Sequence, residues 1–255
     1  MIVRMLGCGT SSGVPRIGND WGACDPADPR NRRTRASILV STATTRILVD
    51  TGPDMREQLL AAGVARIDAV IWTHDHADHC HGIDDLRQVY HALGHPVRGL
   101  ARHDTLASLQ HRFAYAFDGR GGYPPTVAPE LLPDEIAIGD IRVRVTDMPH
   151  GAITSAGLRF EADGHAAGYA TDVSALTDDM RSTFERLDLL IVDALRAAPH
   201  PSHAHLDRTL GWIGELAPRR AVLTHMDQSL DYAALAATLP ASVEPGQDGL
   251  EMVLA

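Results

Sequence analysis

A run of four metal-binding side chains within six residues constrains this chain more than any other feature. His74, His76, Asp78 and His79 follow the pattern H-x-H-x-D-H. The mostly apolar Ala69–Thr73 before them predicts a buried strand, and the helical spacing of apolar residues after them predicts a helix from about His81 to Leu93. Neutral imidazoles bind borderline divalent metals, and a carboxylate adds a negative oxygen ligand. Because four such side chains on one turn are costly to bury without a cation, the motif predicts a metal site rather than a solvated, histidine-rich loop.

The composition is that of a globular protein. A chain of 255 residues with 44% hydrophobic content can bury a full core. No apolar run approaches about 18 residues, so no transmembrane span is predicted, and the short apolar start does not resemble a signal peptide. Three widely separated cysteines, Cys8, Cys24 and Cys80, indicate a reducing compartment rather than a disulfide framework. We therefore expect a cytoplasmic protein with no membrane partner.

Charge and residue usage exclude further classes of function. The net charge of −10 argues against extended nucleic acid as a partner and favours a small molecule. All 23 basic residues are arginine, so Schiff-base catalysis and a P-loop lysine are excluded. Arginines cluster in the early loop at positions 30, 32, 33 and 35. Their guanidinium forks suit phosphate, although a solvated charge run is the commoner explanation for such a cluster.

Histidine and aspartate recur where apolar strands are predicted to end. Asp50 closes the second strand of a hairpin, and His150, Asp172 and His225 each follow a later strand. Side chains at strand ends can converge at one edge of a sheet although they are distant in sequence. Together with the H-x-H-x-D-H motif, these residues predict a two-metal site, in which Asp50 is a plausible partner that orients a metal-bound histidine.

These motifs resemble the metallo-β-lactamase superfamily over nearly the whole chain. Thr73–His79 is similar to the signature of that family, and Asp50, His150, Asp172 and His225 stand in the order of its other motifs. The resemblance implies an α+β fold, a four-layer αββα sandwich in which two mixed β-sheets pack face to face with helices outside. It also implies one domain over residues 1–255.

The resemblance assigns a role to each matching residue. Two divalent metal ions, zinc or manganese in the first place, would be the cofactors. The ligands of one ion would be His74, His76 and His150. The ligands of the other would be Asp78, His79 and His225. Asp172 would bridge the two ions and orient the hydroxide, and Asp50 would support a ligand histidine.

Within the superfamily, the chain is most similar to the phosphodiesterase branch, and in particular to phosphonate-pathway enzymes that open five-membered cyclic phosphates of ribose. The segments Gly7–Pro15 and Ser202–Leu206 carry this likeness. It implies that His203 is the general acid, with His200 as the alternative. The likeness to tRNA 3′-processing nucleases is weaker, and a branch of pyrroloquinoline quinone biosynthesis shares the early motifs.

The sequence departs from the phosphonate-pathway pattern in its early loop. Those enzymes hold a structural zinc ion in a cysteine-rich loop, of which only Cys24 remains here. Gln228 stands where a histidine would follow the last ligand. We therefore expect no third, structural metal.

The implied function is a dinuclear-metal-dependent hydrolase of small cyclic phosphates or nucleotides, which acts by attack of a metal-bridging hydroxide. A metal-dependent hydrolase of carboxylic esters, lactones or thioesters is the second reading. A non-catalytic metal- or ligand-binding protein is the third. Gly9–Gly13 also fits the G-x-S-x-G nucleophile elbow with Ser11 as the nucleophile. That reading is disfavoured because Pro15 and Gly18 prevent the helix that the elbow requires.

Residues 103–133 are the least regular part of the sequence. A helix is predicted over Leu106–Phe117, and the glycine-rich Asp118–Pro125 must be a loop. We predict that this segment is a lid or substrate-specificity insertion, with Tyr123 available to stack on a substrate. The natural substrate is not readable from the sequence, and a homodimer is left open.

Overall fold

The computed structural model describes residues 1–255 and contains two β-sheets of seven strands each. The strands are β1 (Ile2–Gly7), β2 (Ser37–Ser41), β3 (Arg46–Val49), β4 (Ala69–Ile71), β5 (Val97–Ala101), β6 (Val127–Leu131), β7 (Glu135–Ile138), β8 (Ile141–His150), β9 (Ile153–Ala162), β10 (His165–Ala170), β11 (Leu189–Asp193), β12 (Arg220–Thr224), β13 (Val243–Pro245) and β14 (Glu251–Val253). The helices are α1 (Met55–Ala62), α2 (Ala77–Cys80), α3 (Leu86–Leu93), α4 (His103–Arg112), α5 (Ala114–Asp118), α6 (Asp178–Thr183), α7 (Leu206–Leu216) and α8 (Tyr232–Ala236). None of these helices has the length and apolarity that a membrane crossing requires.

The two sheets repeat one topology. The first has the strand order β14-β1-β2-β3-β4-β5-β6, and the second has the order β13-β12-β11-β10-β9-β8-β7. In the first sheet the pairs from β14 to β3 are antiparallel and those from β3 to β6 are parallel. In the second, the pairs from β7 to β10 are antiparallel and those from β10 to β13 are parallel. Strands β8, β10, β11 and β12 therefore run in the same direction and end at one edge.

Alternating side chains build the layers on each face of the first sheet. Ile47 and Val49 of β3 belong to the core that this sheet shares with the second one. Leu48, between them, belongs to a separate core with Trp72 and with Leu86 of α3. Successive side chains of a strand point to opposite faces of its sheet. Strand β3 is therefore buried on both faces, against the second sheet on one side and against helices on the other. The predicted sandwich of two mixed sheets with outer helices is confirmed.

Two helices that the sequence predicts as continuous are interrupted. The helix expected from His81 to Leu93 is a 3-10 turn, Ile83–Asp85, followed by α3. Before that turn the Gly82 amide donates to Thr51 O at 2.7 Å, so it leaves the helical hydrogen-bond pattern. The helix expected over 106–117 is α4 and α5, which are separated at Phe113 with φ −123° and ψ 36°. There the Phe113 ring packs edge-on against His81 with centroids 5.7 Å apart, a tertiary contact that local helical periodicity does not report.

Residues 103–133 belong to the framework of the fold. Strand β6 pairs in parallel with β5 and forms an edge of the first sheet. Leu106 and Leu109 of α4 and Phe117 of α5 are buried in the helical layer. The least regular part of the sequence therefore contains two helices and an edge strand of the first sheet. The role of residues 103–133 as a lid or substrate-specificity insertion stays a prediction.

A buried arginine joins the early loop to the segment after β12. Arg33 is only 1% exposed. Its guanidinium donates to Asp227 O at 3.0 Å and to Leu230 O at 2.6 Å. Arg35 pairs with Asp54 at 3.0 Å. These two members of the early arginine cluster are therefore engaged within the fold.

Replacement of Arg33 by lysine is expected to lower the free energy of unfolding by about 2–3 kcal/mol. One ammonium group cannot serve both carbonyl groups in the planar geometry of a guanidinium, so a buried acceptor loses its donor. Denaturant unfolding measures the change. The matched control is Arg32→Lys at the exposed neighbouring position, where we expect a change within about 0.5 kcal/mol. Equal effects of the two substitutions would contradict the structural role of Arg33.

Candidate metal centre

All seven side chains that the sequence predicts as metal ligands lie together at one edge of the sandwich. They fall into overlapping groups whose ligand atoms lie within 4.8 Å of one another. The residues are His74, His76, Asp78, His79, His150, Asp172 and His225. His74 follows β4, His150 ends β8, and His225 follows β12 directly. The expected convergence of strand ends therefore brings together residues up to 151 positions apart, from 74 to 225.

The first group contains His74, His76, His150 and Asp172. Asp172 Oδ1 lies 3.8 Å from His74 Nε2 and 3.6 Å from His150 Nε2. His76 Nδ1 lies 3.3 Å from His150 Nε2. Three nitrogen atoms and one oxygen atom therefore face a common point, as they do around a four-coordinate divalent ion.

The second group contains Asp78, His79 and His225, and it meets the other oxygen atom of Asp172. Asp172 Oδ2 lies 3.2 Å from His79 Nε2 and 3.5 Å from His225 Nε2. Asp78 Oδ2 lies 3.3 Å from His79 Nε2 and 3.5 Å from His225 Nε2. Each oxygen of Asp172 thus faces one group, which is the arrangement of a carboxylate that two cations share.

The chemistry of these donors fits two divalent cations. The Nε2 atoms of His74 and His79 and both ring nitrogens of His225 are buried and have no hydrogen-bond partner in the protein. Such orphaned polar atoms cost free energy unless another group satisfies them. A cation would do so for Nε2 in each case. The mixed nitrogen and carboxylate set suits zinc, manganese and related metals.

The surroundings shift the pKa values of the site histidines in different directions. Burial holds the pKa of His74 well below its ordinary value, so this ring is neutral, as a ligand must be. Burial also opposes a charge on His79 and His225, but neighbouring carboxylates, Asp172 foremost, outweigh it. They raise the pKa of His79 well above its ordinary value and that of His225 to about 9. The raised pKa values favour the protonated form of these two rings, and a cation at Nε2 would compete with that proton.

Three of the site residues occupy the left-handed region of backbone space. Asp50, Asp172 and His225 have φ values of 66°, 57° and 58°. Residues with a Cβ atom seldom adopt this conformation, and it persists where surrounding contacts impose it, often at functional sites. Each of these residues lies just after a strand. The sharp change of direction turns their side chains into the shared edge.

Asp50 lies behind the second group. Its Oδ2 atom is 2.8 Å from His79 Nδ1, and its Oδ1 atom accepts the Thr73 amide at 2.8 Å. This contact leaves His79 Nε2 to face Asp78 and Asp172. The placement agrees with the supporting role that the sequence predicts for Asp50.

His203 stands beside the carboxylate of Asp172. Its Nε2 atom lies 3.8 Å from Asp172 Oδ1, and its ring stacks on His225 with centroids 4.9 Å apart. On its other side, Nδ1 lies 2.9 Å from Asp193 Oδ2. The alternative candidate, His200, packs beside His203 with ring centroids 5.1 Å apart. His203 also groups with Asp172 and His225 within ligand distance.

Asp193 is the site residue that sequence reasoning missed. It ends β11, is fully buried, and contacts His203 directly. A strand that ends on aspartate is the same signal that pointed to Asp172, so the residue could have been found. The nucleophile elbow at Ser11 lacks its required context, because the first helical turn after it is the 3-10 helix Pro29–Asn31.

Comparison with known proteins decides the family. A model of the beta-lactamase superfamily domain matches residues 45–226, a range that contains all seven candidate ligands. The chain belongs to this superfamily. Its members are mostly hydrolases, and the predicted resemblance is confirmed.

Similar proteins have names that refer to different functions. A Porphyromonas gingivalis protein named octanoyltransferase is 33% identical over 257 residues and covers 98% of this chain, which spans about half (51%) of that relative. The crystal structure of a diphosphatase of the PhnP family has 34% identity and a TM-score of 0.90, over 98% of this chain and 96% of that one. Zinc-bound PqqB from Methylobacterium extorquens covers 100% of both chains with 19% identity and a TM-score of 0.80, and it shares the fold.

Replacement of Asp50 by asparagine is expected to weaken divalent metal binding about 10- to 100-fold. The amide keeps the size of the side chain, but it removes the negative charge that orients His79 and raises the basicity of its ring. Competition with a chelating indicator measures the affinity. Asp68→Asn, before the opposite end of β4, is the control and should bind metal as the wild type does. An unchanged affinity in Asp50→Asn would remove Asp50 from the centre.

Proposed function

We propose that this protein is a two-metal phosphodiesterase that hydrolyses small cyclic phosphates or nucleotides. The observation that carries the proposal is the position of His203, between the bridging carboxylate of Asp172 and the buried carboxylate of Asp193. Hydrolysis of a phosphodiester expels an alkoxide, which is a poor leaving group and needs a proton. A histidine held at the edge of the metal centre is suited to supply that proton.

Different residues of this chain would bind the metals, donate the proton and orient the proton donor. When bound, two divalent cations would lower the pKa of a water molecule and neutralise charge on the phosphate. The seven ligand residues would hold the two cations, and Asp172 faces both groups of ligands. His203 gives the Nε2 proton to the departing oxygen. Asp193 accepts a hydrogen bond from Nδ1, fixes the ring, and stabilises the imidazolium form before transfer.

A cavity lined by sequence neighbours of the ligand histidines, although by none of the ligands themselves, supports a small substrate. It has a volume of about 1010 Å³ and is lined by Asp75, which lies between two of the ligand histidines, and by Gly151, which follows His150. This volume is at the upper end of the range of small-molecule sites. Asp104 and Asp147 also line it. Each lies beside a basic side chain of the same lining, with Asp147 Oδ1 2.9 Å from Arg102 Nε and Asp104 Oδ1 2.9 Å from His103 Nδ1.

Similarity to the PhnP-family diphosphatase also favours phosphorus chemistry. That protein is named for action on a diphosphate, and it matches this chain over nearly its full length. The name of the Porphyromonas gingivalis relative refers to a protein twice as long, so it does not specify the reaction of this chain. We place the cleaved bond in this protein at a phosphodiester.

His203→Ala should lower kcat about 100- to 1,000-fold on cyclic phosphodiesters with alkoxide leaving groups, because these require a proton from the enzyme. The same variant should hydrolyse activated aryl phosphodiesters at close to the wild-type rate, since a nitrophenolate leaves without protonation. Steady-state kinetics with zinc- or manganese-loaded protein on both substrate classes measures the difference.

The matched control is His200→Ala, which removes the neighbouring imidazole. It should retain most of the wild-type rate on both substrate classes. Equal losses on alkyl and aryl substrates in His203→Ala would refute the acid role of His203. Turnover of lactones or thioesters with no turnover of any phosphodiester would replace the proposed function with the carbonyl-ester alternative.

A further inference from the structure

A second cavity lies under the loop that joins α5 to β6. Its volume is about 630 Å³, and its lining includes Arg87 and Tyr90 of α3 and Tyr115 of α5. Arg120 and Tyr123 of the loop also line it. The whole chain contains only five tyrosines, and three of them line this one cavity. Such a concentration of tyrosine and arginine is typical of binding surfaces rather than of ordinary protein exterior.

A tight turn presents the two loop residues together. Gly121 and Gly122 have φ values of 61° and 87°, as a type I′ hairpin turn requires. On either side of it, the Arg120 amide donates to Tyr123 O at 3.1 Å, and the Tyr123 amide donates to Arg120 O at 3.0 Å. At Gly119 a Cβ atom would lie 2.4 Å from Tyr123 O, so the loop closes on itself there. The loop therefore forms a closed hairpin turn and is not an irregular open loop.

The positive charges of the cavity are not neutralised within the protein. Neither Arg87 nor Arg120 has a carboxylate within ion-pair distance, although the chain carries an excess of ten negative charges. Arg87 instead lies over the ring of Tyr123, with its Cζ atom 4.8 Å from the centroid. The only carboxylate in the lining, Asp84, accepts the hydroxyl of Tyr115. The lining thus keeps one positive charge in excess beside exposed aromatic rings.

This cavity is separate from the metal centre. None of the seven candidate ligands, and neither His203 nor Asp193, lines it. Tyr123 is 65% exposed and lies against α3. The predicted stacking of Tyr123 on a substrate at the metal centre therefore has no contact that supports it. The aromatic and cationic side chains of this cavity therefore suit a ligand other than the substrate of the metal centre.

We propose that this cavity is a second binding site, which takes a planar aromatic ring that bears one anionic group. The ring would stack among Tyr90, Tyr115 and Tyr123, where offset and edge-to-face contacts are favourable. The anionic group would lie between Arg87 and Arg120, whose planar donors suit carboxylate, sulfonate and phosphate oxygens. Neither feature alone would suffice, because exposed ion pairs and single exposed rings contribute little.

Binding of naphthalene-2-sulfonate to the metal-loaded protein tests this proposal. The sulfonate is a weak metal ligand and is not hydrolysed, so it reports on the second site rather than on the centre. We expect saturable binding in titration calorimetry, with much weaker binding of 2-naphthol, which lacks the charge, and of methanesulfonate, which lacks the ring. Arg87→Ala, Arg120→Ala and Tyr123→Ala should each weaken binding about tenfold.

The matched control is Arg66→Ala, at an exposed position outside the cavity, which should bind the sulfonate as the wild type does. Hydrolytic activity of Arg87→Ala, which lies on α3 outside the loop, should stay at the wild-type level, and this separates the second site from the proposed function. Circular dichroism confirms that each variant is folded. Equal binding of naphthol and sulfonate, an equal loss in Arg66→Ala, or no saturable binding of the sulfonate would overturn the proposal.

Discussion

The carboxylate of Asp172 is the group on which the arrangement of the site depends. Each of its oxygen atoms faces one of the two ligand groups, and contacts of 3.2–3.8 Å join it to four of the ligand histidines. It is buried among imidazoles, which hold its pKa well below the ordinary value despite the opposing effect of burial. A buried anion of this kind needs compensating positive charge. Two divalent cations would provide that charge in the active form that we propose.

The site residues lie at the carboxyl ends of strands because of the topology of the sheets. Strands β8, β10, β11 and β12 run in one direction, so His150, Asp172, Asp193 and His225 emerge at the same edge. The first sheet contributes the H-x-H-x-D-H segment after β4. The left-handed backbone at Asp172 and His225 completes the turn toward the centre. The two packed cores therefore hold these residues in an unfavourable backbone conformation at the edge of the sheets. Such strained residues are common at functional sites.

Much of the fold and of the site follows from sequence patterns, and the exceptions have physical causes. The spacing of His74, His76, Asp78 and His79 is a local signal that predicts metal ligands, whereas the layers of the fold are what the resemblance to the superfamily implies. The break at Phe113 and the pairing of β6 depend on tertiary contacts that no local periodicity reports. The role of Asp193 emerged only when the fold placed it 2.9 Å from His203. Short strands without clear alternation, such as β6, give no strand signal in the sequence for the same reason.

Metal content after chelation and reconstitution tests the two-metal centre most directly. Elemental analysis of the reconstituted wild type should give about two equivalents of zinc or manganese per chain, with hydrolysis lost on chelation and restored on metal return. Asp172→Ala should bind less than one equivalent tightly, because both groups lose a ligand, whereas Asp140→Ala on a distant hairpin turn should still bind two. A single equivalent in the wild type, or hydrolysis that survives complete removal of metal, would contradict a centre built on Asp172.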